Sequence, residues 1–188
     1  AYSDAISCTY KELVCLGKLP ETPAVQGRSK NARVTLANYC MDLNDHVEAY
    51  EVVSPIVDLA LRLNYRRGLP SIYIAVGSYL LFVEEDYPQG MEYLYQALEF
   101  SEEGKDFFSL WNACYILGTG LSWNCEFSKS LDYFQKSLDL SVAAQNPMGI
   151  SSAKINMAIN YLFQGKMDRV WRIATRAAEH DFLSVHGA

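Results

Sequence analysis

One pattern recurs four times along this chain at a nearly constant spacing. Tyr87, Phe127 and Met167 each follow a charged residue, and 40 residues separate each of them from the next. An earlier copy of the pattern begins at His46, 41 residues before Tyr87. Repetition with this period is typical of solenoids, in which each unit packs mainly against its neighbours. The pattern therefore favours an extended binding surface over a catalytic pocket.

The composition excludes several classes of partner. Half of the 188 residues are hydrophobic and 20% are charged, as in ordinary folded proteins. The net charge of −6 gives no general attraction to phosphate backbones or anionic membranes, and no apolar run reaches the roughly 18 residues that a membrane span requires. We therefore expect no direct nucleic-acid partner and no membrane partner. The basic residues Arg62, Arg66 and Arg67 are interpreted as part of solvated helix faces.

Candidate catalytic and metal-ligating residues are few. The five cysteines include no Cys-x-x-Cys pair and no histidine at metal-ligand spacing, so neither a disulfide framework nor a metal site is predicted. His46 occupies the aromatic position of the repeat and is interpreted as a packing residue, while His180 and His186 lie near the end of the chain. No motif for a phosphate loop or an activated nucleophile occurs. We expect no cofactor and no catalytic residue, and the cysteine usage fits a reducing cytoplasm.

Each repeat divides into two amphipathic helices. In the third unit, apolar residues recur at helical spacing from Asp106 to Trp123 and again from Phe127 to Val142, and so short a connection makes the two helices antiparallel. Small residues, which suit close helix crossings, recur in register: Ala37, Ser78, Gly118 and Ala158 in the first helices, and Ala49, Gly90, Ser130 and Val170 in the second. The chain is predicted to be all-α. Gly118 is expected to accept alanine but not leucine.

The repeats predict a single array over residues 1–188. It consists of a half unit at 1–17 and helix pairs at 28–64, 66–102, 105–145 and 147–180, which makes nine helices. Pro20 and Pro23 interrupt the pattern between Gly17 and Gly27 and predict a longer connection there. Because both ends of the array interrupt a unit, the chain is expected to be a piece of a larger protein. Apolar flanks exposed at such ends would allow self-association.

The repeated motifs resemble those of the tetratricopeptide repeat (TPR) family, in a variant of about 40 residues in place of the common length of about 34. The resemblance rests on the turn and aromatic residue at Asp86-Tyr87 and Glu126-Phe127 and on the columns of small residues, and it covers roughly Lys30 to His180. It implies a right-handed α-solenoid of antiparallel helix pairs, with a concave groove that binds a peptide or a protein domain. The longer unit is similar to repeats in the sensor arms of large bacterial signalling proteins.

In the TPR arrangement, positions near the small residues of the first helices face the groove. In this chain they provide six candidate binding residues: Asn38, Tyr79, Phe82, Asn112, Tyr115 and Trp123. Aromatic rings offer stacking area and amides offer hydrogen bonds to a peptide backbone, a combination that suits peptide recognition. The clamp of basic residues with which the family binds C-terminal carboxylates is not evident in this sequence.

Three functions remain open from the sequence. The resemblance favours a non-catalytic interaction or sensor segment of a larger bacterial signalling or regulatory protein. A passive scaffold or assembly module is the first alternative, and an output domain in the full-length protein would distinguish the two. An α-helical enzyme with a dispersed site is the second alternative, and it would require a deep polar pocket with a coupled acid and base.

Overall fold

The computed structural model describes residues 2–62 and 65–175 of the chain. All regular structure in these residues is helical, which confirms the predicted all-α fold. The α-helices are α1 (Tyr2–Leu16), α2 (Pro23–Asp42), α3 (His46–Val53), α4 (Val57–Arg62), α5 (Leu69–Phe82), α6 (Tyr87–Gly104), α7 (Phe107–Trp123), α8 (Phe127–Ala143) and α9 (Pro147–Phe163). Residues 167–175 form a further helix, α10. Because a 3-10 turn at Ser54–Ile56 joins α3 directly to α4, these two count as one interrupted helix, and the described residues then contain the nine helices that the repeats predict.

The helices form two compact units. Unit 1 extends to Ala113 and contains α1 to α6 with the first part of α7, and unit 2 begins at Cys114 and contains the rest of α7 with α8 to α10. The core of unit 1 is centred on α5, in which residues 69–78 are all buried. The helices α2, α3 and α6 pack against α5, and each contributes a fully buried side chain, namely Leu36, Val53 and Leu94.

Helix crossings in both units occur at small residues. In unit 1, a Cβ atom at Gly77 would lie 2.9 Å from the carbonyl oxygen of Gly90, and a Cβ atom at Gly90 would lie 3.0 Å from that of Gly77. The backbones of α5 and α6 are therefore in contact. In unit 2, Gly118 of α7 lies against the ring of Phe134 of α8. The small residues predicted in register are all buried except Ala158 and Val170, which are half-buried.

One turn recurs at the joints from α2 onward. It places a residue of positive φ directly before the N-cap of the next helix, and these residues are Asn44, Glu85, Lys105, Cys125, Gln145 and Gly165. Side chains of the N-cap residues Asp45, Asp86, Asp106 and Asn146 accept hydrogen bonds of 3.0–3.2 Å from the backbone N–H three residues later. From Glu85 onward the positive-φ residues are 20 positions apart. Joints inside the 40-residue repeats and joints between them are therefore alike.

The connection predicted between Gly17 and Gly27 is shorter in the structure. Helix α2 begins at Pro23, so the predicted boundary at residue 28 falls inside a helix. The side chain of Thr22 accepts a hydrogen bond from the N–H of Val25, and Pro23 suits the first helical turn because no N–H is needed there. Pro23 therefore starts a helix that the sequence analysis places later. The predicted boundary at residue 64 and the end of the last pair at residue 180 lie outside the described residues.

Candidate functional site

Two of the six predicted groove residues pack between helices of unit 1. The ring of Tyr79 stacks on Tyr50 of α3, with ring centroids 4.0 Å apart and an interplanar angle of 9°. The ring of Phe82 lies 4.9 Å from that of His46, also on α3. The hydroxyl of Tyr79 donates a hydrogen bond to Glu84, and this bond raises the pKa of the phenol. Both rings join successive helices, and a role for them in ligand binding stays a prediction.

Three other predicted residues lie on α7 in different environments. Asn112 belongs to unit 1, and its side chain is buried with 7% of the residue exposed. Tyr115 and Trp123 belong to unit 2. The hydroxyl of Tyr115 accepts a 3.0 Å hydrogen bond from the amide of Asn156, whereas Trp123 is 65% exposed. Of these three side chains, Trp123 has the largest area on which a ligand could stack.

The sixth residue, Asn38 on α2, lines a cleft of about 660 Å³ in unit 1, which we call the Asn38 cleft. Its lining comes from α2, from the turn before α5 and the start of that helix, from the end of α6 and from the start of α7. The residues are Val34, Asn38, Arg66, Arg67, Pro70, Ser71, Phe100, Glu103, Gly104, Asp106, Phe108 and Ser109. This volume is in the range of known ligand pockets. The Asn38 cleft is the best-formed polar concavity in the described residues.

The turn that carries Arg66 and Arg67 is anchored by Tyr65. The hydroxyl of Tyr65 donates to the side-chain oxygen of Asn31 on α2, and the ammonium group of Lys30 lies 5.0 Å from the centre of the tyrosine ring. A Cβ atom at Gly68 would lie 2.0 Å from that ring, so glycine is required for the ring to occupy this place. Burial raises the pKa of the Tyr65 phenol, which the nearby Arg67 partly opposes. The backbone between Tyr65 and Gly68 thus holds both arginines in the lining.

Charged and polar groups meet across the Asn38 cleft. An Nη atom of Arg66 lies 3.6 Å from a carboxylate oxygen of Glu103. The carboxylate of Asp106 caps α7 by accepting a hydrogen bond from the N–H of Ser109. The hydroxyls of Ser71 and Ser109, both buried, are 3.3 Å apart. With the amide of Asn38, these groups can bind a polar or anionic ligand.

Aromatic surface borders the same cleft. The ring of Phe100 packs edge-on against Tyr73, with centroids 5.6 Å apart, and this contact fixes its position at the end of α6. Phe108, at the start of α7, is 48% exposed, and its centroid lies 5.9 Å from that of Trp111. A ligand side chain that covered Phe108 would remove apolar surface from water, which is a favourable contribution to binding.

Sequence reasoning missed most of this lining. Arg66 and Arg67 are interpreted there as solvated, and the serines at the starts of α5 and α7 are not singled out. A local signal does exist, because the two arginines stand between an aromatic residue and a Gly-Leu-Pro helix start. What no local pattern contains is the position of Glu103 and Phe108, which come from segments distant in the chain.

The remaining candidate groups have other environments. Burial lowers the pKa of His46, an effect that the Asp45 carboxylate opposes, and the Nδ1 atom of His46 is buried with no hydrogen-bond partner among the described residues. His180 and His186 lie outside the described residues. Within residues 2–62 and 65–175, no three His, Cys, Asp or Glu side chains are grouped as a metal ion would need, and none of the helices is both long enough and apolar enough to cross a bilayer.

No protein-family model and no curated protein sequence matches this chain. Two solved structures do match it, both of nearly identical TPR-like repeats from a Podosopora anserina protein classed as a kinesin light chain. The first, a substituted form, is 12% identical with a TM-score of 0.61, and the match covers 100% of this chain and 89% of that one. The second is 12% identical with a TM-score of 0.59 and covers 100% and 90%.

This chain has a TPR-like repeat fold. At 12% identity the likeness to the two structures shows the fold alone. It confirms the solenoid class that the repeat period indicates, and it places the Asn38 cleft on a fold whose units are helix pairs. The variant of 40 residues and the link to bacterial sensor arms stay predictions.

Proposed function

We propose that this chain is an interaction module that binds a peptide or a protein domain. The observation that carries the proposal is the Asn38 cleft, where an amide, two guanidinium groups, two hydroxyls and exposed aromatic surface line one concavity. Such a mixture binds an extended peptide well, because the polar groups pair with its backbone and the rings bury its side chains. The TPR-like fold supports the proposal by analogy only.

The finer part of the proposal concerns context. We assign the chain to a larger cytoplasmic, bacterial signalling protein, in which it works without catalysis as a sensor segment. The support is the 40-residue period of the repeat. In a repeat array, a ligand that favours one packing of adjacent helices shifts the population toward that packing and so reaches a neighbouring domain.

A passive scaffold is the second candidate. The stacked rings of Tyr50 and Tyr79 favour it, because they tie α3 to α5 and oppose a change in helix packing. Hydrogen exchange with and without a bound peptide distinguishes the two candidates. A sensor predicts altered protection in helices that do not touch the peptide, and a scaffold predicts a change at the cleft alone.

Self-association is a further part of the proposal. Helix α1 exposes an apolar groove of about 650 Å³ lined in part by Ile6, Tyr10 and Val14. On α9, Ile155, Leu162 and Phe163 are also exposed. Apolar surface of this kind favours association between copies. Sedimentation velocity over a range of concentrations tests this, and a monomer at all concentrations would contradict it.

The test of the proposed function is a selection from a random peptide library with the whole chain. We expect the parent to enrich a set of related peptides, and the variant Asn38→Leu/Phe108→Ser to lose them. Trp123→Ala, which leaves the Asn38 cleft intact, serves as the control and should retain the set. Enrichment of no peptide, or of the same peptides by the cleft variant, would contradict the proposal.

A further inference from the structure

The pair of arginines in the Asn38 cleft has cationic capacity that the chain itself does not fill. A tight charge-assisted bond between guanidinium and carboxylate is about 2.7–2.9 Å long, whereas Arg66 and Glu103 are 3.6 Å apart. Their side chains are 72% and 54% exposed, so water screens the attraction. Among the described residues, Arg67 has no carboxylate at ion-pair distance. A ligand carboxylate could therefore bind to this turn at little expense to existing contacts.

The acidic residues of the lining do not cancel this preference. The carboxylate of Asp106 is engaged with the N–H of Ser109 at the N-terminus of α7, where the helix dipole stabilises its charge. Glu103 opposes Arg66 alone. The anchored turn from Tyr65 to Gly68 keeps both guanidinium groups on one side of the cleft, so that a planar carboxylate can face them.

The rest of the lining specifies what accompanies the carboxylate. Phe108 offers exposed ring surface, and Phe100 and Pro70 extend it. These groups favour an aromatic or aliphatic side chain next to the acidic one. The amide of Asn38 can both donate to and accept from a peptide backbone.

We propose that the Asn38 cleft recognises a peptide segment in which a carboxylate side chain neighbours an aromatic one, with the carboxylate held by Arg66 and Arg67 and the ring held against Phe108. This inference rests on the proposed function and adds the chemical class of the ligand.

The test uses three fluorescein-labelled hexapeptides of alternating sequence: glutamate with phenylalanine, glutamine with phenylalanine, and lysine with phenylalanine. Fluorescence anisotropy with the whole chain measures their dissociation constants. A hydrogen bond to a charged group contributes about 1.5–3 kcal/mol, so the acidic peptide should bind at least about tenfold more tightly than the glutamine peptide. The lysine peptide should bind most weakly, and added salt should reduce the preference.

Matched variants assign the preference to the cleft. Arg66→Gln/Arg67→Gln should abolish the preference for the acidic peptide and leave the glutamine peptide unaffected. Arg62→Gln removes the same charge from an exposed position on α4 that does not line the cleft, and it should retain the preference. Circular dichroism confirms that each variant is folded.

Equal binding of the acidic and glutamine peptides, or a preference that survives loss of both arginines, would overturn the inference. If Asn38→Leu then weakens both peptides equally, the cleft binds peptides without selecting a carboxylate, and the proposed function stands. If none of the three peptides binds, the inference is wrong, and the library selection decides the proposed function separately.

Discussion

The two units use the same helix crossing in different ways. In unit 1, α5 and α6 meet at Gly77 and Gly90, where backbone lies on backbone and no side chain intervenes. In unit 2, the equivalent crossing of α7 and α8 contains Gly118, the ring of Phe134 and the hydroxyl of Ser130, which donates a 2.6 Å hydrogen bond to the carbonyl oxygen of Gly118. The repeat preserves the position of the crossing and leaves its filling free.

The crossing of unit 2 is part of a buried polar network. The side-chain amide of Asn160 on α9 donates to the Oγ of Ser130 at 2.9 Å. Its oxygen accepts from the Oγ of Ser122 at 3.0 Å, and Asn160 itself is fully buried. A satisfied buried network fixes one arrangement of its helices, whereas a partly satisfied one is costly. The stability of unit 2 should therefore depend on single polar atoms, and that of unit 1 on close backbone approach.

Asn160→Leu should have the largest effect on stability. The leucine keeps much of the volume but leaves the hydroxyl of Ser122 without its acceptor and removes the bond to Ser130. We expect the free energy of unfolding to fall by about 3 kcal/mol, from the lost bonds and the stranded hydroxyl together. Urea denaturation measures this. A loss no larger than that of Asn124→Leu, an exposed control in the same unit, would contradict the network's importance.

The glycine crossings should differ in whether they can be rescued. Gly90→Ala brings a Cβ atom to 3.0 Å from backbone atoms of Gly77 and Leu81, and it should reduce the free energy of unfolding by about 2 kcal/mol. Gly118→Ala brings a Cβ atom to 2.8 Å from the ring of Phe134. There the loss should be about 1 kcal/mol, because the gain in helix propensity offsets part of the crowding.

A double-mutant cycle tests the distinction. In the background Phe134→Leu, Gly118→Ala should no longer destabilise, because the obstacle is a side chain that has been removed. For Gly90→Ala the matched background is Leu81→Ala, which leaves the opposing backbone in place and should give no such rescue. The sequence-based expectation that Gly118 accepts alanine freely omits the fully buried ring of Phe134. Additive effects at Gly118 and Phe134 would show that the ring is not the obstacle.

The aromatic position of the repeat predicts a pH effect in unit 1 that unit 2 lacks. His46 stands where unit 2 has Phe127, and burial lowers its pKa. The unfolded chain binds a proton near the ordinary value of about 6.5 and the folded protein only at lower pH. The contribution of His46 to stability is therefore present above that value and lost as the pH falls toward the folded pKa.

The measurement compares the parent with His46→Phe by urea denaturation at pH 7 and pH 5. We expect the variant to lose less stability between the two pH values than the parent does. The comparison between variants is needed because carboxylates add their own pH dependence to both. An identical pH dependence for the two proteins would mean that the buried ring does not resist protonation.

The recurring turn should give the smallest effect, and an equal one in both units. Lys105 in unit 1 and Gln145 in unit 2 have φ values of 52° and 51°, in the left-handed region. A residue with a Cβ atom is strained there by about 1–2 kcal/mol, and glycine relieves this strain but adds freedom to the unfolded chain. Lys105→Gly and Gln145→Gly should each raise the free energy of unfolding by about 0.5 kcal/mol. Thermal melts measure both, and destabilisation by either would contradict the turn.

Periodicity predicted the helices well because it is a local property of the chain. Apolar residues at helical spacing located α7 and α8 to within one residue of their observed ends. It failed at Pro23, since proline can both interrupt and start a helix, and only the cap formed by Thr22 decides which. The joints every 20 residues also escaped, because residues as different as Glu85, Cys125 and Gln145 occupy the left-handed position.

The candidate site was predicted only in part. Asn38, expected to face a groove, does lie in the lining of a cleft. Tyr79 and Phe82 pack on α3, and Asn112 is buried, so neighbouring positions in one register have different environments. The register gives a helix face only to within the width of one residue, and a rotation of that size decides between a core side chain and an exposed one.

By itself, the sequence determined that the chain is helical, where most helices begin and end, and that small residues recur at the crossings. These follow from the spacing of residue types along the chain. Only the tertiary structure decided that Gly77 and not Ser78 meets Gly90, that Asn160 completes the network in unit 2, and that Arg66 and Arg67 share a cleft with Phe108. Such contacts depend on the rotation and approach of packed helices, which the joint packing of many side chains sets and no single segment encodes.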